Sequence, residues 1–206
     1  MKVSIRSKLQ IFAACVSDLS AGSIVSPTFE PIRKSFLGSI LAASCFIATS
    51  MLVSSTASAE VDPRVARSME TLKALTAKLG APKVEGNDLV GGNDTPGLYF
   101  GTTKVNNNFD IVDAVGREDG KGMTATLFVK SADEFLRAST SVKKDDGSRA
   151  IGTTLDLKAA AGMAVAQGKA YYGVAPILGK AYITGYEPMK DGSGNIIGAY
   201  YVGYPQ

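Results

Sequence analysis

MTATLFVK (Met123–Lys130), EFLRASTSV (Glu134–Val142), KAYYGVAPI (Lys169–Ile177), KAYITGYEP (Lys180–Pro188) and NIIGAYYVGY (Asn195–Tyr204) are dense in Val, Ile, Thr, Tyr and Phe. Those residue types fit a pleated, half-buried surface, so each run reads as a strand. Breakers separate them: Ser131-Ala132-Asp133, Asp145-Asp146-Gly147-Ser148, Leu178-Gly179 and Asp191-Gly192-Ser193-Gly194. The short spacings make hairpins of the last three strands, while Lys143 to Gly168 is a longer segment crossing between the second and the third. The expectation is an α/β (α+β) domain: one five-stranded antiparallel sheet, interrupted once.

Upstream of the sheet, Val61 to Gly80 reads as a long helix. Asp62 can cap it and Pro63 suits its first turn. Val65, Met69, Leu72, Leu75 and Leu79 recur at helical spacing, and Gly80-Ala81-Pro82 ends it. That stripe belongs across the sheet as core; the rival use is a dimer or signalling contact. Pro82 to Gly97 is polar and Gly-rich and reads as a loop, with a short strand at Leu98–Val105. Asn107-Asn108 can cap a short helix through Phe109, Ile111, Val112 and Val115, and Gly116 to Gly122 reads as a charged turn. Within the crossing segment, Leu155 to Gln167 reads as a short helix ended by Gly168.

The N-terminal 59 residues differ in kind. Residues 1–34 are mixed and aperiodic, an extension of uncertain status. Arg33 and Lys34 precede the uncharged apolar run Phe36–Val53, and Ala57-Ser58-Ala59 follows with Glu60 after it. A basic flank, an apolar core and a small-residue ending make a secretory signal peptide over residues 35–59, cut between Ala59 and Glu60. The alternative is an uncleaved anchor, since a run of about 18–20 apolar residues can span a bilayer. The mature domain is then 60–206, periplasmic or secreted. Both cysteines, Cys15 and Cys45, lie ahead of the cut, so no disulfide, thiol site or Cys metal site is expected in it.

Composition narrows the chemistry. The chain has no His and no Trp, which removes the commonest general base and the commonest metal ligand together. The formal charge of +3 belongs to the N-terminus, and beyond residue 59 basic and acidic side chains balance at 17 each. A nucleic-acid footprint needs a clustered basic excess, so no nucleic-acid partner is expected. Gly173 to Lys180 has the wrong spacing for a phosphate loop and no Ser or Thr after the lysine. Asp191 to Asn195 lacks the acidic spacing and distal Glu of a calcium loop. No serine sits in a nucleophile elbow. No cofactor, metal site or catalytic residue is expected, and the protein is not read as an enzyme.

What remains is polar groups set into strands. Strict alternation places Phe135, Arg137, Ser139 and Ser141 on one face of the second strand, and Leu136, Ala138, Thr140 and Val142 on the other. A strand-borne arginine among apolar neighbours needs a partner. Its fork suits a carboxylate, either an internal acid such as Asp156 or Glu187 or the anionic end of a ligand. Lys180, Tyr182, Thr184 and Tyr186 share a face of the fourth strand, and Tyr172 faces the same way as Val174 in the third. Cation, hydroxyls and phenols on one sheet face would hold a small anion between aromatic walls.

The run ATLFVKSADEFLRASTSVKKDDGSRAIGTTLD and the later GKAYYGVAPILGKAYITGYEPMKDGSGNIIGAYYVGYP closely resemble the extracytoplasmic Cache sensor domains of bacterial chemoreceptors, more narrowly the single-Cache type described as a Cache 3/Cache 2 fusion. The resemblance runs from near Val61 to Tyr204 and includes the segment Leu98 to Phe109, the string Phe135 to Leu155 and the terminal pattern Tyr182 to Gly198. It implies a PAS-like fold in which a long N-terminal helix packs on one face of the sheet. A small metabolite, often a short organic acid, lies on the other, under the crossing segment. It places Arg137, Ser139, Thr140 and Arg149 in and after the second strand, and Lys180, Tyr182 and Tyr186 in the fourth, as ligand residues; Tyr172 joins them. Family receptors continue into a second membrane span and a signalling module, whereas here Tyr204 is followed by two residues. The expectation is therefore an exported, stand-alone sensory domain that presents its ligand to a membrane receptor or sensor kinase. The alternative is a membrane-anchored accessory dimerising through the Val61–Gly80 helix.

Overall fold

The computed structural model describes residues 60–120 and 122–206; the extension, the signal-peptide reading and the anchor alternative lie outside these residues. Helix α1 (Pro63–Ala77) begins where the sequence asks: Pro63 occupies the first turn and the Asp62 side chain accepts the Arg64 N–H at 2.9 Å. It buries Val65, Ser68, Met69, Leu72 and Thr76. The helix stops at Ala77, before Gly80, leaving Leu79 39 % exposed. Gly80 takes a φ of +128° and lies against Gly101, where a Cβ would come within 2.7 Å of Gly101 Cα, so the chain leaves the helical path to make that approach.

The expected loop at 82–97 is instead a hairpin, β1 (Pro82–Val90) and β2 (Asn93–Phe100), with register Val90↔Asn93 to Pro82↔Phe100 and a bulge at Gly86. Gly91 and Gly92, both at positive φ, form its two-residue turn, the geometry that matches the twist of paired strands. Strand β1 hides from periodicity because it is an edge strand exposed over most of its length. The expected strand at Leu98–Val105 is split: after a turn at Gly101-Thr102, β3 (Thr103–Lys104) folds back on Tyr99 and Phe100. Helix α2 (Asp110–Asp119) continues through most of the stretch expected to be a charged turn, because Val112 and Val115 bury fully and hold it to the core.

The main sheet follows the sequence closely: β4 (Thr124–Ser131), β5 (Glu134–Thr140), β6 (Tyr171–Ile177), β7 (Lys180–Lys190) and β8 (Ile196–Pro205), all antiparallel in the order β5-β4-β8-β7-β6. Strand β8 sits in the middle and is buried almost end to end, so both of its faces are covered. In the crossing segment, α3 (Ala160–Ala166) is shorter than the apolar run 155–167; Gly162 lies against the Asp156 carbonyl, where a Cβ would sit at 2.1 Å.

Each sheet face carries its own core. Val65, Met69 and Leu72 of α1, Val112 and Val115 of α2 and Leu98 and Phe100 of β2 pack with Leu127, Val129, Leu136 and Val202. On the other face Phe128, Phe135, Tyr186 and Tyr201 pack with Val142, just past β5, and with Ala150, Leu155, Ala161 and Val165 from the crossing segment. A helix on one face and a crossing segment on the other make the PAS-like arrangement.

One irregularity decides which side chains meet. Phe128 pairs with Arg137 and Leu127 with Ser139, so a bulge leaves Ala138 opposite no residue. An extra residue inverts the alternation beyond it. Thr140 and Val142 therefore join Arg137 on the crossing-segment face, and Ser139 and Ser141 turn to the helix face, reversing the strict alternation expected for this strand.

Candidate functional site

Arg137 projects from β5 beneath the crossing segment and is only 5 % exposed. Its Nη1 donates to Thr153 Oγ1 at 2.7 Å, and its guanidinium carbon lies 5.1 Å from the centre of the Phe128 ring. Its buried Nε has no hydrogen-bond partner, and among the described residues no carboxylate pairs with it. Neither of the internal acids expected to match it does so. Asp156 accepts the Lys158 N–H at 2.8 Å, and Glu187, on the helix face, takes the Tyr172 hydroxyl and Lys73 Nζ. Burial without a counter-charge pulls the guanidinium pKa below its ordinary value.

Beside Arg137 lies a cavity of about 140 Å³ bordered by Asp156, Ala161, Ala175, Pro176 and Tyr186. Its volume compares with roughly 30 Å³ for one water in the liquid, which suits a ligand of few heavy atoms. Its aromatic wall is Tyr186. Strand register sets Thr140, Thr126, Tyr201, Tyr186 and Tyr171 in one row across the sheet. The Tyr186 and Tyr201 rings are 4.9 Å apart, and Tyr171 and Phe128 flank Tyr186 at 6.4 Å each. Burial pushes the Tyr186 phenol up to about 12, partly offset by Arg137, and raises Tyr201 further. Two larger clefts, about 370 and 360 Å³, open on the helix face; neither is lined by a buried side chain with an unmatched polar atom.

The structure brings Arg137 and Tyr186 together and disperses most of the other expected ligand residues. Thr140 shares their face but its hydroxyl meets Thr126 Oγ1 at 2.7 Å. Ser139, turned by the bulge, donates to the Asn108 carbonyl. Arg149 grips Asp113 of α2 with both nitrogens, at 2.9 and 2.8 Å, donates to the Thr140 carbonyl and covers Phe109. Lys180, at the open end of β7, pairs with Asp145 at 2.8 Å on the exposed surface. Tyr182 is half-buried against the crossing-segment core. Tyr172 pairs with Gly185, so it lies on the helix face, opposite the expected grouping; its neighbour Tyr171 meets Tyr186. Sequence reasoning passed over Phe128, Tyr171, Tyr201 and Thr153. The first three could have been read from strand alternation, but nothing local marks Thr153.

A sheet with a helix across one face and a small, partly charged cavity under a crossing segment on the other is the arrangement of a PAS-like domain. A family model of the Cache 3/Cache 2 fusion domain matches residues 49–206, and the chain belongs to that family. Cache domains are small-molecule sensory domains, typically extracellular, and sensory rather than catalytic. No curated protein and no solved structure matches the chain. Among the described residues, no helix is long and apolar enough to cross a membrane.

Proposed function

We propose that this chain is an exported sensory domain whose ligand is a small metabolite with an anionic head, a short carboxylate being the simplest. The observation that carries the reading is Arg137: a buried cation that pairs with no acid among the described residues, with an unmatched Nε and a small cavity beside it. A buried charge of that kind is costly until something pairs with it, and a guanidinium fork pairs best with a planar oxyanion. Tyr186 supplies the wall against which the rest of the ligand packs, and Asp156 at the rim disfavours a second negative charge. The other expected ligand residues support the site's frame in this reading.

The test is a thermal-shift screen of acetate, propionate, pyruvate and lactate against amino acids and purines, run on wild type and Arg137→Met. A ligand at about a hundredfold excess over its dissociation constant stabilises the fold by roughly 2.7 kcal/mol. A carboxylate that raises the melting temperature of wild type and not of the variant supports the proposal; a hit that survives in the variant moves the site elsewhere.

The signal-peptide reading places the domain outside the cytoplasm, and Glu60 as the first residue of the protein isolated from its host supports it. The anchored alternative draws on the family match, which starts at residue 49, ahead of the proposed cut. Recovery of an intact 36–53 run in the membrane fraction would support the anchored alternative.

A further inference from the structure

We infer that the tip of the β1–β2 hairpin is a positioning element of the Arg137 site, acting through Gly152 and Thr153. The chain of contacts is continuous. Gly91, in the hairpin turn, and Gly152, in the crossing segment, meet backbone to backbone: a Cβ built on either would lie 2.7 Å from the other's Cα. Asn93 Nδ2 donates to the Gly152 carbonyl at 3.2 Å, so the tip both presses on and holds that peptide. Gly152 N–H in turn donates to the Arg137 carbonyl at 3.0 Å, and Arg137 N–H to the Thr153 carbonyl at 2.9 Å. Thr153 Oγ1 then accepts Arg137 Nη1 and donates to the Ala150 carbonyl.

The guanidinium is therefore oriented by a threonine whose own backbone is placed by the hairpin. With one Nη1 hydrogen held by Thr153, the fork keeps its second Nη1 hydrogen and those of Nε and Nη2. The contact cannot be relieved by a rotamer change, because backbone meets backbone. Nor can the hairpin lift freely, because Val90 beside the turn is fully buried. Displacing Gly152 thus displaces Thr153 and turns the fork that faces the cavity.

The turn contains its own control. Gly91 (φ +57°) and Gly92 (φ +88°) are both left-handed, so alanine strains either backbone, but a Cβ on Gly92 meets nothing within 4 Å. In full-length protein, Gly91→Ala is expected to shift the Arg137 Nε–H nitrogen resonance, assigned by its loss in Arg137→Met. Gly92→Ala, similarly strained, is expected to leave that resonance in place. Acetate affinity should fall roughly tenfold in the first variant and stay unchanged in the second. If Gly91→Ala does not fold, Asn93→Ala removes the grip on Gly152 without backbone strain and should shift the same resonance.

An unmoved Arg137 resonance in a folded Gly91→Ala or Asn93→Ala protein overturns the inference, as does an equal shift from Gly92→Ala. The binding arm rests on the anion reading, but the resonance arm does not. Failure of acetate to bind wild type therefore counts against the ligand proposal alone.

Discussion

Arg137 and the tyrosines around it set the behaviour of the site at the scale of single side chains. A guanidinium buried over Phe128, with no carboxylate partner among the described residues, carries an unrecovered desolvation cost. Arg137→Met keeps the stem and removes the charge. Its unfolding free energy is expected within about 1 kcal/mol of wild type or above it, while carboxylate binding is lost. Urea titration with and without ligand measures both; a loss of several kcal/mol without ligand would instead make the arginine part of the frame.

Tyr186 makes a second prediction at the same scale. Its folded pKa is raised from 10.0 to about 12 by burial, so the folded protein keeps a proton that the unfolded chain gives up. That contribution is complete below pH 10 and disappears as pH rises from about 10 to 12, on the order of 2 kcal/mol for this one group. Tyr172 and Tyr201, also raised, steepen the fall. Tyrosinate absorbance followed alongside ellipticity should show a part of the ionisation that coincides with unfolding and shrinks in Tyr186→Phe; an unfolding-linked step unchanged in that variant would contradict it.

At the scale of elements, the crossing segment is tied down at named points. Arg149 joins it to α2 through Asp113 and to β5 through the Thr140 carbonyl, both half-exposed contacts. Arg149→Met should therefore lower global stability by only about 1 kcal/mol. It should speed hydrogen exchange at the amides of Lys144, Ala150 and Gly152, which bond within the segment or to β5. Unchanged exchange there would mean that the apolar contacts of Val142, Ala150 and Leu155 hold the segment unaided.

What was legible at this scale follows from how local each signal is. The alternation and breakers of Met123–Tyr204 are carried by neighbouring residues, and all five strands appear where they were read. Helix α1 was legible through Asp62, Pro63 and its apolar stripe. The β1–β2 hairpin was missed because an exposed edge strand has no buried face to create alternation, although the Gly91-Gly92 pair marked its turn. Of the site, Arg137 and Tyr186 were legible as polar and aromatic groups in apolar strands; Thr153 and the partners of Arg149 were not.

Considering the whole molecule, the buried apolar side chains of the described residues form two cores. The two cores share one sheet, with β8 central to both. Residues 60–206 by themselves are therefore expected to fold, and to unfold in one cooperative transition whether followed by far-ultraviolet ellipticity or by tyrosine fluorescence. Two separated transitions would mean that the hairpin and helix layer stands apart from the crossing-segment layer.

Composition and short-range pattern alone determined the five strands, helix α1 as a helix, the balanced charge beyond residue 59 and the want of histidine chemistry, because each is a property of composition or of residues adjacent or a few positions apart. Tertiary structure decided which of those residues face one another. A single bulge at Ala138 moved Ser139 to the helix face and Thr140 to the other, and strand register gave the place beside Tyr186 to Tyr171 and not Tyr172. Glu187 went to the helix face, and neither it nor Asp156 pairs with Arg137, which has no carboxylate partner among the described residues. The side-chain period of a strand is two, so one extra residue reverses a face, and pairings between distant segments depend on contacts that no local run of sequence encodes.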